Sequence, residues 1–412
     1  MPIPENTDDR VYENKVRSTT LKLLAYCRRE NWSGYEPYDA LNSRIFEKVP
    51  ILDFKLFRLG LTQILKRSAI NVRSLLLIPK TQNPKALGLF LSALLKLSKS
   101  GIAEADQLID TIVDQQLALR SKDSEYWNWG YNFPWQTRSV LVPRWAPNLV
   151  CTVFVADSLL DLYEERKDTR YLEIAASSAD YLVNKLYWTQ GQHVGFSYPL
   201  PGLPQNRVHN ATFLASALLL RVHHYTGNPK LLEPALHGAR YAAAQQRNDG
   251  GWMYGELPSQ QWIDNFHTGF NLCALRSIAK YGNTTEFDAN LRKGLDFYLK
   301  HFFRSDGSVT YFHDRTYPFD THSVAQAIIT LITLKDLYPE SLSLAKSVLD
   351  WAMQHMWDER EGFFYYRVHS YCTIKTSYMR WTQAWMLLAL STLLADLSAA
   401  NETPMIAPST LR

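Results

Sequence analysis

Four apolar segments of this chain end on a tyrosine, at Tyr163, Tyr225, Tyr281 and Tyr338, and these tyrosines lie 62, 56 and 57 residues apart. A period of this size marks stacked supersecondary units, none of which can bury its apolar face alone. The residues after the tyrosines, such as Thr226-Gly-Asn-Pro229 and Gly282-Asn-Thr284, are helix stop signals. The four segments run Asn148–Tyr163, Asn210–Tyr225, Asn265–Tyr281 and Thr321–Tyr338. Pro84–Lys99 and Trp381–Asp396 extend the series to six. All six are apolar nearly all round, as in Ala327-Ile-Ile-Thr-Leu-Ile332, and a helix without a polar face is buried on all sides.

Amphipathic segments alternate with them: Val11–Arg29, Ala103–Leu119, Arg170–Leu186, Lys230–Gln246, Glu286–Phe303 and Ser341–Met356. Six buried helices alternating with six half-exposed ones predict an all-α fold, an (α/α)6 toroid with an inner ring inside an outer one. An open solenoid needs polar caps at its ends, and neither end of this pattern carries one. The expectation is one toroid over 1–412, with its core at about 10–396 and a short flexible tail at about 400–412.

Inner-to-outer links are short and polar, whereas outer-to-inner links are long and hold nine of the twelve tryptophans. Long loops with aromatic content carry function more often than short polar turns do. Function is therefore expected on the face at the N-terminal ends of the inner helices. That face gathers Arg144-Trp145, His209-Asn210, Asp264 with His267, Asp320 with His322, and Arg380-Trp381. The loops add Asp39, Tyr198, Trp252, Tyr254, Glu256, Trp262 and Asp314.

For catalysis the expected set is Asp264, His267, Asp320, His322 and Asp314. For substrate binding it is Asp39, Arg144, Trp145, Tyr198, His209, Asn210, Trp252, Tyr254, Glu256, Trp262 and Arg380. Asp264 and Asp320 also stand where helix caps stand. Residues i and i+3 share a helix face, so Asp264 and His267 are expected to act together. Tryptophan faces beside carboxylates and amides suit sugars.

Other classes find less support. The four cysteines are scattered and form no CxxC, so neither a zinc cluster nor a disulfide scaffold is expected. No metal or cofactor is expected. A net charge of +4, dispersed along the chain, does not argue for nucleic acid, and is compatible with an acidic glycan. The first ten residues lack a signal-peptide pattern, and no uncharged apolar run is long enough to span a membrane. A cytoplasmic protein is expected.

The ring with aromatic loops resembles the six-hairpin glycosidase superfamily and the toroid polysaccharide lyases and epimerases. Trp32-Ser-Gly-Tyr-Glu-Pro-Tyr-Asp-Ala-Leu41, Asn128-Trp-Gly-Tyr-Asn-Phe-Pro-Trp135 and Trp262-Ile-Asp-Asn-Phe-His-Thr-Gly269 are similar to an uncharacterised group encoded in exopolysaccharide gene clusters. Some of that group carry a δ-aminolevulinate dehydratase label. No β/α barrel pattern or cysteine cluster supports that label here. The resemblance implies a carbohydrate-active enzyme in polysaccharide biosynthesis or processing. Hydrolysis would use two carboxyl groups, Asp264 and Asp320 first, with Asp314 or Glu256 as substitutes. Lyase or C5-epimerase chemistry would use His209, Asn210, Tyr254 and His267. A non-catalytic glycan binder is the second reading. A terpenoid cyclase or prenyltransferase toroid is the third, although the Asp-x-Asp-Asp acid of class II cyclases is absent.

Overall fold

In the computed structural model, which describes residues 7–48, 53–137, 140–203 and 207–402, the apolar segments form the inner helices. These are α4 (Pro84–Lys99), α6 (Leu149–Arg166), α8 (His209–Thr226), α10 (Asn265–Gly282), α12 (Thr321–Thr333) and α14 (Trp385–Glu402). The outer ring is α1 (Thr7–Arg29), α5 (Ala103–Ala118), α7 (Thr169–Tyr181), α9 (Leu232–Ala244), α11 (Asp288–Phe302) and α13 (Ser341–His355). Two further helices, α2 (Ile45–Lys48) and α3 (Lys55–Arg67), lie in the first long link. The expected tail falls mostly on 403–412, outside the described residues.

Side-chain chemistry sets the helix ends. Asn83, Asn148, Asp264 and Asp320 cap α4, α6, α10 and α12 by accepting backbone N–H groups of the first turn. At the other ends Lys167, Gly227 and Asn283 take left-handed conformations that turn the chain outward.

The ring is closed. Each inner helix packs on the next, and α14 packs on both α12 and α4. The first helix of the chain, α1, covers the last inner helix, α14. Ser398 donates to Glu13 at 2.8 Å across that contact. Lys15 pairs with Asp350 of α13 and Arg28 with Glu104 of α5, so α1 fills the outer ring between its neighbours. The inner helices bury residues on every side: Val324, Ala325, Ala327, Ile328 and Leu331 of α12 are all fully buried. Each such Val, Leu or Ile contributes roughly 1.5–3 kcal/mol relative to exposure.

The structure departs from the sequence reading at three places. The helix α3 sits in what reads as a loop. The final inner helix begins with a wide π-helical turn, Met379–Ala384, ahead of Trp385. The segment expected to run to Tyr338 stops its α-helix at Thr333. No helix among the described residues is long and apolar enough to cross a membrane.

Candidate functional site

The first five long links and the starts of all six inner helices meet at one cavity of about 510 Å3, the last helix through the π-helical turn that carries Arg380 and Trp381. Its floor is made by Lys85, Val150, Asn210, Phe266, His267, Phe270 and His322, and its walls by residues of the links. The walls are aromatic, with Tyr131, Phe133, Trp135, Tyr198, Tyr254, Trp262, Tyr311, Phe312 and Trp381. Lys66, Lys85 and Arg380 also line it, and no aspartate or glutamate is among the described lining residues.

His267 stands at the first turn of α10. Asp264 accepts the backbone N–H of His267, and both its carboxylate oxygens lie 2.9 Å from His267 Nδ1. An ionised carboxylate only accepts, so Nδ1 carries a proton, and in the neutral ring the lone pair falls on Nε2. Tyr254 and Trp262 stack face to face, 4.4 Å between centroids, and both touch the His267 ring.

His322 is held differently. Its ring stacks on Phe266 at 4.4 Å and on Trp385 at 4.6 Å, and meets Trp381 edge-on at 4.8 Å. It is buried, and neither ring nitrogen has a hydrogen-bond partner among the described residues. Burial, with the charges of Lys85, Arg380, His267 and Arg367, holds its pKa well below the usual imidazole value. A buried polar group left unbonded costs about 1–3 kcal/mol, and at a cavity a ligand or water can complete the bonding. Asn210, also in the floor, has an unbonded buried Oδ1.

The two carboxylates expected to act as acid and base are both occupied. Asp264 is 1% exposed and caps α10 while orienting His267. Asp320 is fully buried; it caps α12 and accepts from Arg367 Nε and Trp381 Nε1. Neither lines the main cavity. Asp264 opens only onto a narrow crevice beside it.

Several expected residues stand elsewhere for identifiable reasons. Asp314 is on the surface, paired with Arg315. Asp39 is buried in an ion pair with Arg73 at 2.9 Å and accepts the N–H of Glu36. Glu256 pairs with Arg207 and accepts from Tyr241. His209 is buried behind the wall, where burial lowers its pKa to about 4. Trp252 is buried against Phe213, and its Nε1 donates to Ala242 O. Its ring needs Gly294, where an added Cβ would stand 2.7 Å from Trp252. Arg144 and Trp145 line a separate surface cleft with Arg120 and Lys122. The cavity thus gathers His267, His322, Asn210, Tyr198, Tyr254, Trp262 and Arg380 from the expected set.

Sequence reasoning missed Lys85, Lys66, Tyr38 and Glu36. Lys85 is buried, with Nζ 4.0 Å from the Phe154 ring centroid and 5.2 Å from that of Trp385. Burial and Arg380 hold its amine well below the usual lysine range. A lysine at the start of an apolar helix opposes the helix dipole, and that signal was present in Pro84-Lys85-Ala86. Glu36 braces Arg380 from behind at 2.8 Å, and burial raises its pKa to about 7. Among the described residues no group of three or more His, Cys, Asp or Glu is placed to hold a metal ion.

No family model matches the sequence, and no curated protein matches it significantly. Solved structures do match its fold. Cellobiose 2-epimerase from Spirochaeta thermophila DSM 6192 superposes with a TM-score of 0.58 at 13% identity, covering 78% of this chain and 87% of that one. An unsaturated glucuronyl hydrolase specific for heparin gives 0.58 at 12% identity, covering 93% and 97%. A family 76 glycoside hydrolase from a bovine Bacteroides thetaiotaomicron strain gives 0.56 at 14%, covering 78% and 70%. The chain shares its (α/α)6 toroid fold with these structures.

Proposed function

We propose that the protein is a carbohydrate-active enzyme that moves a proton at a carbon of a sugar, as an epimerase, isomerase or lyase does. The observation that carries this reading is the cavity lining, whose described residues include two histidines and no carboxylate. Hydrolysis needs one protonated and one ionised carboxyl group flanking the glycosidic bond. Here both expected carboxylates are engaged behind the wall. A histidine with a free Nε2, oriented by Asp264, is instead built as a general base.

In the simplest step His267 takes the proton from a carbon beside a carbonyl or carboxyl group. The electron pair of that C–H bond moves toward the oxygen and gives an enol or enolate. Neutral His322 serves on the other side of the sugar, where its N–H hydrogen-bonds the oxygen that gains the electron pair. Trp262 and Tyr254 supply a stacking face. Lys66 and Arg380, the latter braced from behind by Glu36, line the cavity and favour an acidic sugar. The same cations would repel a carbocation, which disfavours the terpenoid reading. A place in building or trimming a polysaccharide fits this chemistry.

The test is incubation with reducing oligosaccharides and uronate-containing polysaccharides, followed by product analysis for epimers, unsaturated uronates and new reducing ends. Epimers or unsaturated products, lost in His267→Ala, are expected. New reducing ends alone, retained in His267→Ala, would point back to hydrolysis.

A further inference from the structure

One pair of groups in the wall is not used by the histidine chemistry. Tyr38 and Lys66 both line the cavity, and both come from the first long link, Lys66 from α3. Lys66 Nζ donates to Tyr38 Oη at 2.6 Å and lies 4.4 Å from the centroid of the Tyr38 ring. A charged ammonium has no lone pair, so it can only donate. The phenol must therefore send its own proton elsewhere, and no described residue accepts it. Tyr38 packs edge-on against Trp381, 5.8 Å between centroids, and His322 packs against the same indole. The tyrosine and the unbonded imidazole thus share one aromatic partner at the cavity.

We propose that Tyr38, held by Lys66, is a catalytic acid and base that exchanges a proton with an oxygen of the bound sugar. The proposal rests on the proton-transfer reading above and assigns that chemistry a group for the oxygen. As His267 removes the carbon-bound proton, the electron pair of the C–H bond moves to the carbonyl oxygen. Tyr38 gives its proton to that oxygen, and the tyrosinate that remains is stabilised by the Lys66 ammonium. On the return step the tyrosinate takes the proton back, the carbonyl re-forms and the His267 imidazolium returns a proton to carbon, so atoms and charge balance.

The surroundings agree with the geometry. Burial alone would push the Tyr38 phenol upward, yet Lys66, by charge and hydrogen bond, with Arg367 and Arg380, pulls it below the ordinary tyrosine value. The other ionisable groups sensing Tyr38 are Tyr198, Tyr254, Tyr311 and Tyr366, each raised by its own burial and neutral at working pH.

Two measurements on the full chain test the pair. The first is ultraviolet titration of tyrosinate absorbance, which needs no substrate. The difference between wild type and Tyr38→Phe should show one tyrosine ionising below the ordinary value near 10, shifted upward in Lys66→Met and restored in Lys66→Arg. Superimposable wild-type and Tyr38→Phe curves below that pH would overturn the proposal. The second is turnover of the sugar that the wild type converts. Tyr38→Phe should lose about a hundredfold in kcat with little change in KM. Full turnover in Tyr38→Phe would equally overturn it. If no sugar is converted by the wild type, the proton-transfer reading fails, and the titration alone decides the pair.

Discussion

At Asp264 one carboxylate does two jobs that a substitution can separate. It caps α10, and it fixes the tautomer of His267. Asn caps a helix almost as well as Asp, so Asp264→Asn should leave the melting temperature within a few degrees of wild type. It should nonetheless lower kcat about a hundredfold, because a side-chain amide no longer selects the tautomer with Nε2 free. Full activity in this variant would leave capping as the whole role of Asp264. The buried histidines make a separate prediction about pH. His322 is held well below 6.5 and His209 at about 4, so the folded state refuses protons that the unfolded chain binds. Unfolding free energy should therefore fall as pH drops from about 6.5 toward 4, by at most about 1.4 kcal/mol per pH unit for each histidine. Chemical denaturation of His322→Gln and of His209→Gln should each show a shallower slope. An unchanged slope in both would mean that these rings titrate normally in the fold. The pairing of Asp264 with His267 was legible from their i, i+3 spacing. The fate of Asp39 was not, because its partner Arg73 lies 34 residues away and only the folded link brings them together.

The helices were legible because their signals are local: an all-apolar run, a capping Asn or Asp, a glycine or asparagine after the last turn. The elements that sequence missed lack such signals. The apolar face of α3 is mostly uncovered, with Leu56 and Ile64 exposed, so its periodicity does not mark a core helix. The π-helical turn before α14 carries no propensity signature of its own, yet it bears both Arg380 and Trp381, and such turns recur at functional sites. Lys66 and Arg380 reach the cavity through these two unread elements. The short turns on the opposite face are expected to be structural only. Gly227 ends α8 with φ +67°, so Gly227→Ala should cost about 1 kcal/mol in chemical denaturation while leaving sugar turnover unchanged. A loss of turnover larger than the loss of folded protein would bring that face into the function.

On the scale of the whole molecule, ring closure sets both stability and function. The first helix covers the last, and Leu23, Leu24 and Cys27 of α1 are fully buried. Removing residues 7–29 should therefore abolish cooperative unfolding of the entire chain. An open solenoid would keep its remaining repeats, and a truncated protein with a sharp melt would contradict closure. Because the ring closes, five links and six helix starts that are far apart in sequence face one cavity, and its lining can be cationic and aromatic although the overall charge is only +4. The alternation of helices foretold that convergence. It could not foretell that Asp264 and Asp320 would turn away from the cavity and His267 and His322 toward it, since all four stand at the starts of inner helices. That contrast is the core of the functional account. The most direct measurement is conversion of a sugar in D2O, read by mass spectrometry and NMR for deuterium bound to carbon. Stable deuterium at the carbon beside the carbonyl or carboxyl group, incorporated by the wild type and not by His267→Ala, is the predicted result. Epimers that form with no deuterium on carbon would contradict the assignment of His267 to proton transfer.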